Sequence, residues 1–394
     1  MSQAGNKLRD IFIAHSFDLE KVKASSARAI SRTMDDLILE LVRELYQIDP
    51  NGVTRTAYQQ ERLKKLLSMA DQTIRSRFKL IAGDVKKELI TLAEIESLFA
   101  VKAINSVFTV KMADYVTSRE VLTRLVDNTL IEGAPSAEWW GKQSEDLRDS
   151  FSRAMRTGVA RAETLPQMAA RLRGTQKPGV LGVTGNIPGV TNEQILGVTY
   201  DPGLIKKAKR NAEALVRTSY QAVTSAARND VYQANSDVVK GYQFLATLDT
   251  RTTQVCIAYN GSTWKLDGTP IPPTKLPLRQ PGLHWGCRSV MLPLLKSFEE
   301  VLGLPGIEQI LPSTRSSFSK TGLSGQISED ITADKWLQSL NVAERTSILG
   351  KKRTELFDKG LISTKDLVSS TSGATLSLSA LGDKVRNNKF YGAA

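Results

Sequence analysis

The amino-acid sequence predicts a mainly α-helical protein with one small β-rich module, an α+β chain rather than a layered α/β one. Apolar residues recur at helical spacing over 17–103 and again in stretches up to about residue 235. Only 239–295 changes to strand-like alternation, followed by a turn dipeptide and a proline-rich excursion. Both cysteines and one of the two histidines fall in that same stretch.

Residues 17–48 place Leu19, Val22, Ile30, Met34, Leu37, Ile38, Leu41, Val42 and Leu45 at helical spacing. Asp49-Pro50-Asn51-Gly52 should end this helix, because proline cannot continue it and Asn-Gly turns. Thr54 can cap a second helix with Leu63, Leu66, Leu67, Ile74, Phe78 and Ile81 on one face. Gly83-Asp84 is expected to interrupt it, and a third helix then carries Val85, Leu89, Leu92, Ile95, Leu98, Phe99 and Ala103. The spacing holds no heptad, so a hairpin or bundle is expected rather than a coiled coil. Residues 1–110 are thus read as a helical arm that docks on a partner. His15 follows the apolar run Ile11 to Ala14 with no partner ligand nearby in sequence, and reads as an ordinary surface or interface histidine.

A helical core is expected over 111–238. It begins with a short helix at 118–127 and breaks at Gly133-Ala134-Pro135. Ser136 is placed as the cap of a helix carrying Trp139, Trp140, Leu147, Phe151 and Met155, with one indole in the core and its neighbour partly exposed. Thr164-Leu165-Pro166 starts another helix that stops at Gly174. The Gly/Pro-rich stretch 174–203 reads as a protruding loop. Asp201-Pro202 opens a helix to about Asn235, whose Ala208, Ala212, Ala222, Ala226 and Ala227 permit close packing. Its first half holds Lys206, Lys207, Lys209 and Arg210, the candidate polyanion contact.

The module at 239–295 begins with a strand through Tyr242, Phe244 and Ala246, then Leu248-Asp249-Thr250-Arg251-Thr252. Asn260-Gly261 gives the turn of an expected hairpin, since both residues accept positive φ. Pro270, Pro272, Pro273, Pro277 and Pro281 precede His284-Trp285-Gly286-Cys287-Arg288-Ser289, and the apolar run 290–295 closes the unit. Residues 296–330 lose pattern and read as a linker, and 331–394 as a helical tail with pieces near Trp336, Arg345 to Phe357 and Lys365 to Val368.

The long-range combination ATLDTRT…C…NG…P…H-x-x-C-R-S resembles the Mu-type phage head morphogenesis, or minor capsid, proteins. Asp249, Arg251, Thr252, Cys256, Gly261, His284, Cys287 and Arg288 fall on that pattern. Thr253 and Ser289 stand where many members carry further cysteines, and Trp285 replaces the usual proline. Leu215-Val216-Arg217-Thr218, Ala227-Arg228, Tyr232 and Asn235 extend the likeness upstream, so that it covers roughly 145–295. Trp336, Leu349, Gly350, Arg353, Leu356, Gly360, Asp366 and Leu367 match an element frequent at the family's C-terminus. The resemblance implies a non-enzymatic virion component near the portal, acting in head assembly and in DNA packaging or delivery. Its partners would be the portal protein, other head proteins and packaged DNA, and it would be present in several copies. An alternative is a metal-dependent nucleic-acid-processing enzyme or a DNA-binding ejection protein.

The chemistry at the centre narrows these classes. Structural zinc sites take four Cys or His ligands, commonly as pairs two to four residues apart. His284-x-x-Cys287 makes one such pair and Cys256 a third ligand, which Asp249 or Asp267 would have to complete. The incomplete set favours no cofactor, with the cysteines packed as small apolar residues. Asp249, Arg251, Arg288 and His284 are read as a polar network pinning the module rather than as catalytic groups. No GxSxG, P-loop, HExxH or dinucleotide motif is present.

Composition agrees with a non-secreted globular protein. The chain has 394 residues, enough for several domains, with 41% hydrophobic and 24% charged residues. A net charge of +12 suits contact with a polyanion. No apolar run is long enough to span a membrane, and the N-terminus lacks a signal-peptide layout. Two cysteines make no disulfide framework, so assembly in the host cytoplasm is expected, with the virion as destination.

Overall fold

The computed structural model describes residues 3–48, 57–108, 111–161, 163–174, 203–296, 300–301, 314–318, 324–328 and 332–391. The expected turn at 49–52, the cap at Thr54 and nearly all of the 174–203 loop lie outside them. The fold is the expected mainly α chain with a small β-rich module. Helices α1 (Gln3–Ile48) and α2 (Ala57–Asn105) are followed by α3 (Arg119–Asn128) and the two-residue strands β1 (Leu130–Ile131) and β2 (Ala134–Pro135). Then come α4 (Ser136–Ala160), α5 (Leu165–Arg173) and α6 (Leu204–Ala234).

Local chemistry accounts for several boundaries. Ser118 caps α3 through the Val121 amide. Thr164 and Gln167 form a reciprocal capping box at the start of α5, with Pro166 in its first turn and Gly174 at its end. Two expectations are corrected. Ser136 is the first residue of α4 rather than its cap; the cap is Pro135, which makes no side-chain bond. Gly83-Asp84 does not interrupt α2, which runs on to Asn105. A glycine in a helix costs only about 1 kcal/mol relative to alanine, and the burial of Ile81, Val85 and Leu89 around it exceeds that.

The module contains a three-stranded antiparallel sheet with β3 (Val239–Leu245) between β4 (Thr263–Lys265) and β5 (Val290–Leu295). Six of the seven β3 residues are buried, as a strand paired on both edges and covered on both faces requires. Gly241 permits the β4 pairing, because a Cβ there would lie 2.1 Å from the Trp264 carbonyl oxygen. Between β3 and β4 the chain forms the short helix α7 (Gln254–Tyr259), not the second strand of a simple hairpin. Asn260-Gly261 turns out of that helix, with Gly261 at φ +75. The Asn260 side chain accepts from the Ala246 amide at 3.1 Å, tying the turn to the end of β3.

Within 296–330, β6 (Thr314–Phe318) pairs with β7 (Ser324–Ser328), so this stretch contains a two-stranded ladder. The C-terminal part holds α8 (Ala333–Ser339), α9 (Val342–Leu349), α10 (Lys351–Asp358), a 3-10 turn (Thr364–Leu367) and α11 (Leu378–Tyr391). Gly350, at φ +80, separates α9 from α10 where sequence spacing suggested one continuous helix.

The chain divides into two compact units that do not follow the segments expected from sequence. One comprises 1–22, 89–132 and 218–394, and the other 23–88 and 133–217. In the first, a single core joins Leu8, Phe12 and Ile13 of α1 and Ala100, Val101 and Ile104 of α2 to Tyr242, Phe244 and Trp264 of the sheet. Trp336, Leu337, Leu349, Phe357, Leu367 and Leu381 belong to the same core. The two ends of the expected arm, in 1–22 and 89–110, and the helices of the expected tail thus contribute to the core of the module. The apolar faces of these segments are buried with the module, because an amphipathic helix is stabilised mainly by the surface it covers.

The second unit buries Met34, Leu37, Leu41, Leu66, Ile74 and Phe78 together with Trp140, Leu147, Phe151 and Met155. Phe78 and Trp140 have ring centroids 6.2 Å apart. Trp140 is buried while Trp139 is partly exposed, the division expected of that pair. Arg148 pairs with Asp71, and Arg77 with Glu40 at 2.9 Å.

Candidate functional site in the Cys/His module

Two polar clusters organise the module. The first centres on Asp249, which is 3% exposed. Arg288 holds its carboxylate with two hydrogen bonds of 2.6 Å, one to each oxygen. The Arg251 amide donates to Oδ1 at 2.9 Å, and the Thr252 hydroxyl lies 3.1 Å from the same oxygen. The Asp249 amide donates to Thr252 Oγ1 at 3.0 Å, and Thr252 Oγ1 also donates to the Thr247 carbonyl. Burial alone would raise the Asp249 pKa, but the bonds and charge of Arg288, with the Arg251 amide, hold it below the ordinary carboxylate range. The Arg251 side chain itself is exposed and reaches Asp249 only at 3.8 Å. The arrangement fastens the end of β3 to the start of β5, as a buried bidentate pair should.

The second cluster is Cys256, His284 and Cys287, whose ligand atoms lie within 4.8 Å of one another. Cys256 Sγ is 3.8 Å from Cys287 Sγ and 3.1 Å from His284 Nε2. Thr253 Oγ1 lies 2.8 Å from that same nitrogen. On the far side of the ring, Nδ1 is 3.0 Å from the Trp285 carbonyl oxygen. The hydrogen bond to Cys287 and burial push the Cys256 thiol well above the ordinary thiol range. Cys287 is held well below it by the Cys256 bond and by His284, against its own burial. For His284, burial acts downward, yet the bond to Cys287 and its charge raise the pKa.

Asp249 and Asp267, the carboxylates expected to complete a metal set, do not join this cluster. Asp249 is committed to Arg288, and Asp267 is exposed and accepts from the Thr269 amide at 2.8 Å. Gly261 sits away from both clusters, where its amide donates to the Phe244 carbonyl at 2.8 Å. In α6, Lys206, Lys207 and Arg210 are exposed, whereas Lys209 is paired with Asp35 of α1 at 2.7 Å.

Several further residues, whose part in the site the sequence did not reveal, shape it. Gln221 of α6 donates to the Ser289 carbonyl at 2.7 Å, and Thr218 accepts from the Gly286 amide at 3.0 Å. Lys365 of the 3-10 turn donates to the carbonyls of Ala258 and Asn260 and to Ser262 Oγ, closing the C-terminal end of α7. Burial lowers its pKa to about 8. Arg228 and Glu96, 2% and 1% exposed, form a buried pair at 2.6 Å, and His15 bonds the other Glu96 oxygen at 2.8 Å. Thr218 and Arg228 carried a signal through the family pattern and Lys365 through the C-terminal helical pattern, whereas Gln221 and Glu96 look like ordinary helix residues.

The module thus combines a buried polar network with a Cys/His cluster at the end of a small-residue helix. Residues 145–292 match the family model described as Phage Mu protein F like protein. Over that stretch the chain is similar to the Mu-type phage head morphogenesis, or minor capsid, proteins, which supports a head-morphogenesis role. No curated protein and no solved structure matches the chain. No helix among the described residues is long and apolar enough to cross a membrane.

Proposed function

We propose that this minor capsid protein works beside the portal, in several copies, and is built into the head during its assembly in the host cytoplasm. The observation that carries this reading is the family match over 145–292, which spans α6, the Asp249–Arg288 pair and the Cys/His cluster. Its partners are then the portal protein and other head proteins, with packaged DNA as a further contact. The exposed cations Lys206, Lys207 and Arg210 support the DNA contact, since sequence-independent phosphate binding needs only accessible positive charge.

The test is to purify heads and portal vertices from infected cells and quantify the chain in each by mass spectrometry. The expected result is enrichment with portal vertices over shell fragments. Even distribution through the shell, or absence from mature particles, would overturn the placement.

A further inference from the structure

The geometry points to a zinc site held by Cys256, His284 and Cys287, with the Thr253 hydroxyl at its fourth position. This goes beyond the capsid role, which would stand without a metal. Three observations carry it.

The first is the spacing of the donors. With Zn–S near ~2.3 Å and tetrahedral angles, two thiolates on one zinc lie ~3.8 Å apart. Cys256 and Cys287 are 3.8 Å apart. The sulfur-to-nitrogen edge of the same tetrahedron is ~3.6 Å; Cys256 Sγ to His284 Nε2 is 3.1 Å and all three donor atoms lie within 4.8 Å of one another, so the ring has to shift on binding.

The second is the orientation of the imidazole. A carbonyl oxygen only accepts, so the contact with Trp285 places the proton of the neutral ring on Nδ1. Nε2 then carries the lone pair, facing Cys256 Sγ and the Thr253 hydroxyl. This is the arrangement in which a second partner fixes the tautomer of a ligating histidine.

The third is the surrounding chemistry. Two sulfurs and one imidazole, drawn from the first turn of α7 and from the His284–Cys287 turn, form a soft donor set that selects zinc over calcium or magnesium. Thr253-x-x-Cys256 has the spacing of a Cys-x-x-Cys half-site, and its hydroxyl reaches the histidine at 2.8 Å. Both cysteines are buried, so the thiolates would be shielded once formed. The bound ion would cross-link segments about thirty residues apart and hold α7 against the turn that leads into β5.

The experiment uses the full chain, expressed without a histidine tag and purified under reducing conditions. Elemental analysis should find about one zinc per chain, and the Cys256→Ser/Cys287→Ser double variant none. Because that variant could fail to fold, cobalt is loaded into the wild-type chain as well. A thiolate-to-cobalt charge-transfer band together with tetrahedral d–d bands is the expected signature. Thr253→Cys should complete a Cys3His set and slow loss of zinc to a chelator by about tenfold or more. A folded wild-type chain with no zinc above the double variant and no cobalt bands would overturn the site. A folded Thr253→Cys chain that releases zinc as fast as wild type would overturn the assignment of the fourth position.

Discussion

Breaking the Asp249–Arg288 pair should cost far more than a surface ion pair. In the Arg288→Met variant the carboxylate stays buried, 3% exposed, with both bonds of 2.6 Å removed. Of its hydrogen bonds only those from the Arg251 amide and the Thr252 hydroxyl remain, with the exposed Arg251 guanidinium 3.8 Å away. An uncompensated buried charge costs about 3–5 kcal/mol, against about 0–1 kcal/mol for an exposed pair. At about 1.4 kcal/mol per tenfold, that is a loss of opening protection of roughly a hundred- to several-thousand-fold. Hydrogen exchange followed by mass spectrometry over 239–251 and 284–295 measures it locally, without assuming one unfolding transition for a chain with two units. Acid titration supplies the sign. The folded pKa of Asp249 lies below its unfolded value of about 3.9, so its contribution is complete above that value and is lost as pH falls through the folded pKa. Asp249→Asn should remove this acid-side loss. A cost under about 1 kcal/mol in Arg288→Met, or an unchanged acid limb in Asp249→Asn, would refute the reasoning.

Three further outcomes are expected. Arg228→Met leaves the buried Glu96 with His15 alone and should destabilise the unit by up to about 3–5 kcal/mol, while adding Glu96→Leu should recover much of the loss; chemical denaturation of the two variants checks this. Lys365→Met leaves the Ala258 and Asn260 carbonyls without their cation, so protection over 254–262 should fall by about 1–3 kcal/mol in hydrogen exchange. If α6 touches duplex DNA, Lys206→Gln/Lys207→Gln/Arg210→Gln should flatten the log–log salt dependence of binding by about 2.7, which is three contacts at about 0.9 each. Lys209→Gln alone should change that slope little, because Asp35 already neutralises it; fluorescence anisotropy at several salt concentrations distinguishes the two.

The α-helices and the β-rich module at 239–295 were legible in the sequence, because each depends on local spacing, whereas the β6–β7 ladder was not. Apolar residues every three or four positions specify helix faces, and a histidine three residues before a cysteine is a local pair wherever it folds. Short elements were less legible. Six residues of α7 hold too little periodicity to be told from a strand, and Gly83 reads as a break although its helix continues. Tertiary structure alone decided which distant groups meet. His15 had no partner in sequence and found Glu96, 81 residues away, and Glu96 in turn meets Arg228 across 132 residues. Packing likewise joined the two ends of the expected arm, and the expected tail, to the core of the module, and paired Lys209 with Asp35. The physical reason is common to all of these. Side-chain spacing records which face of an element is apolar, whereas the identity of the surface that covers it is chosen only when the whole chain competes to bury it.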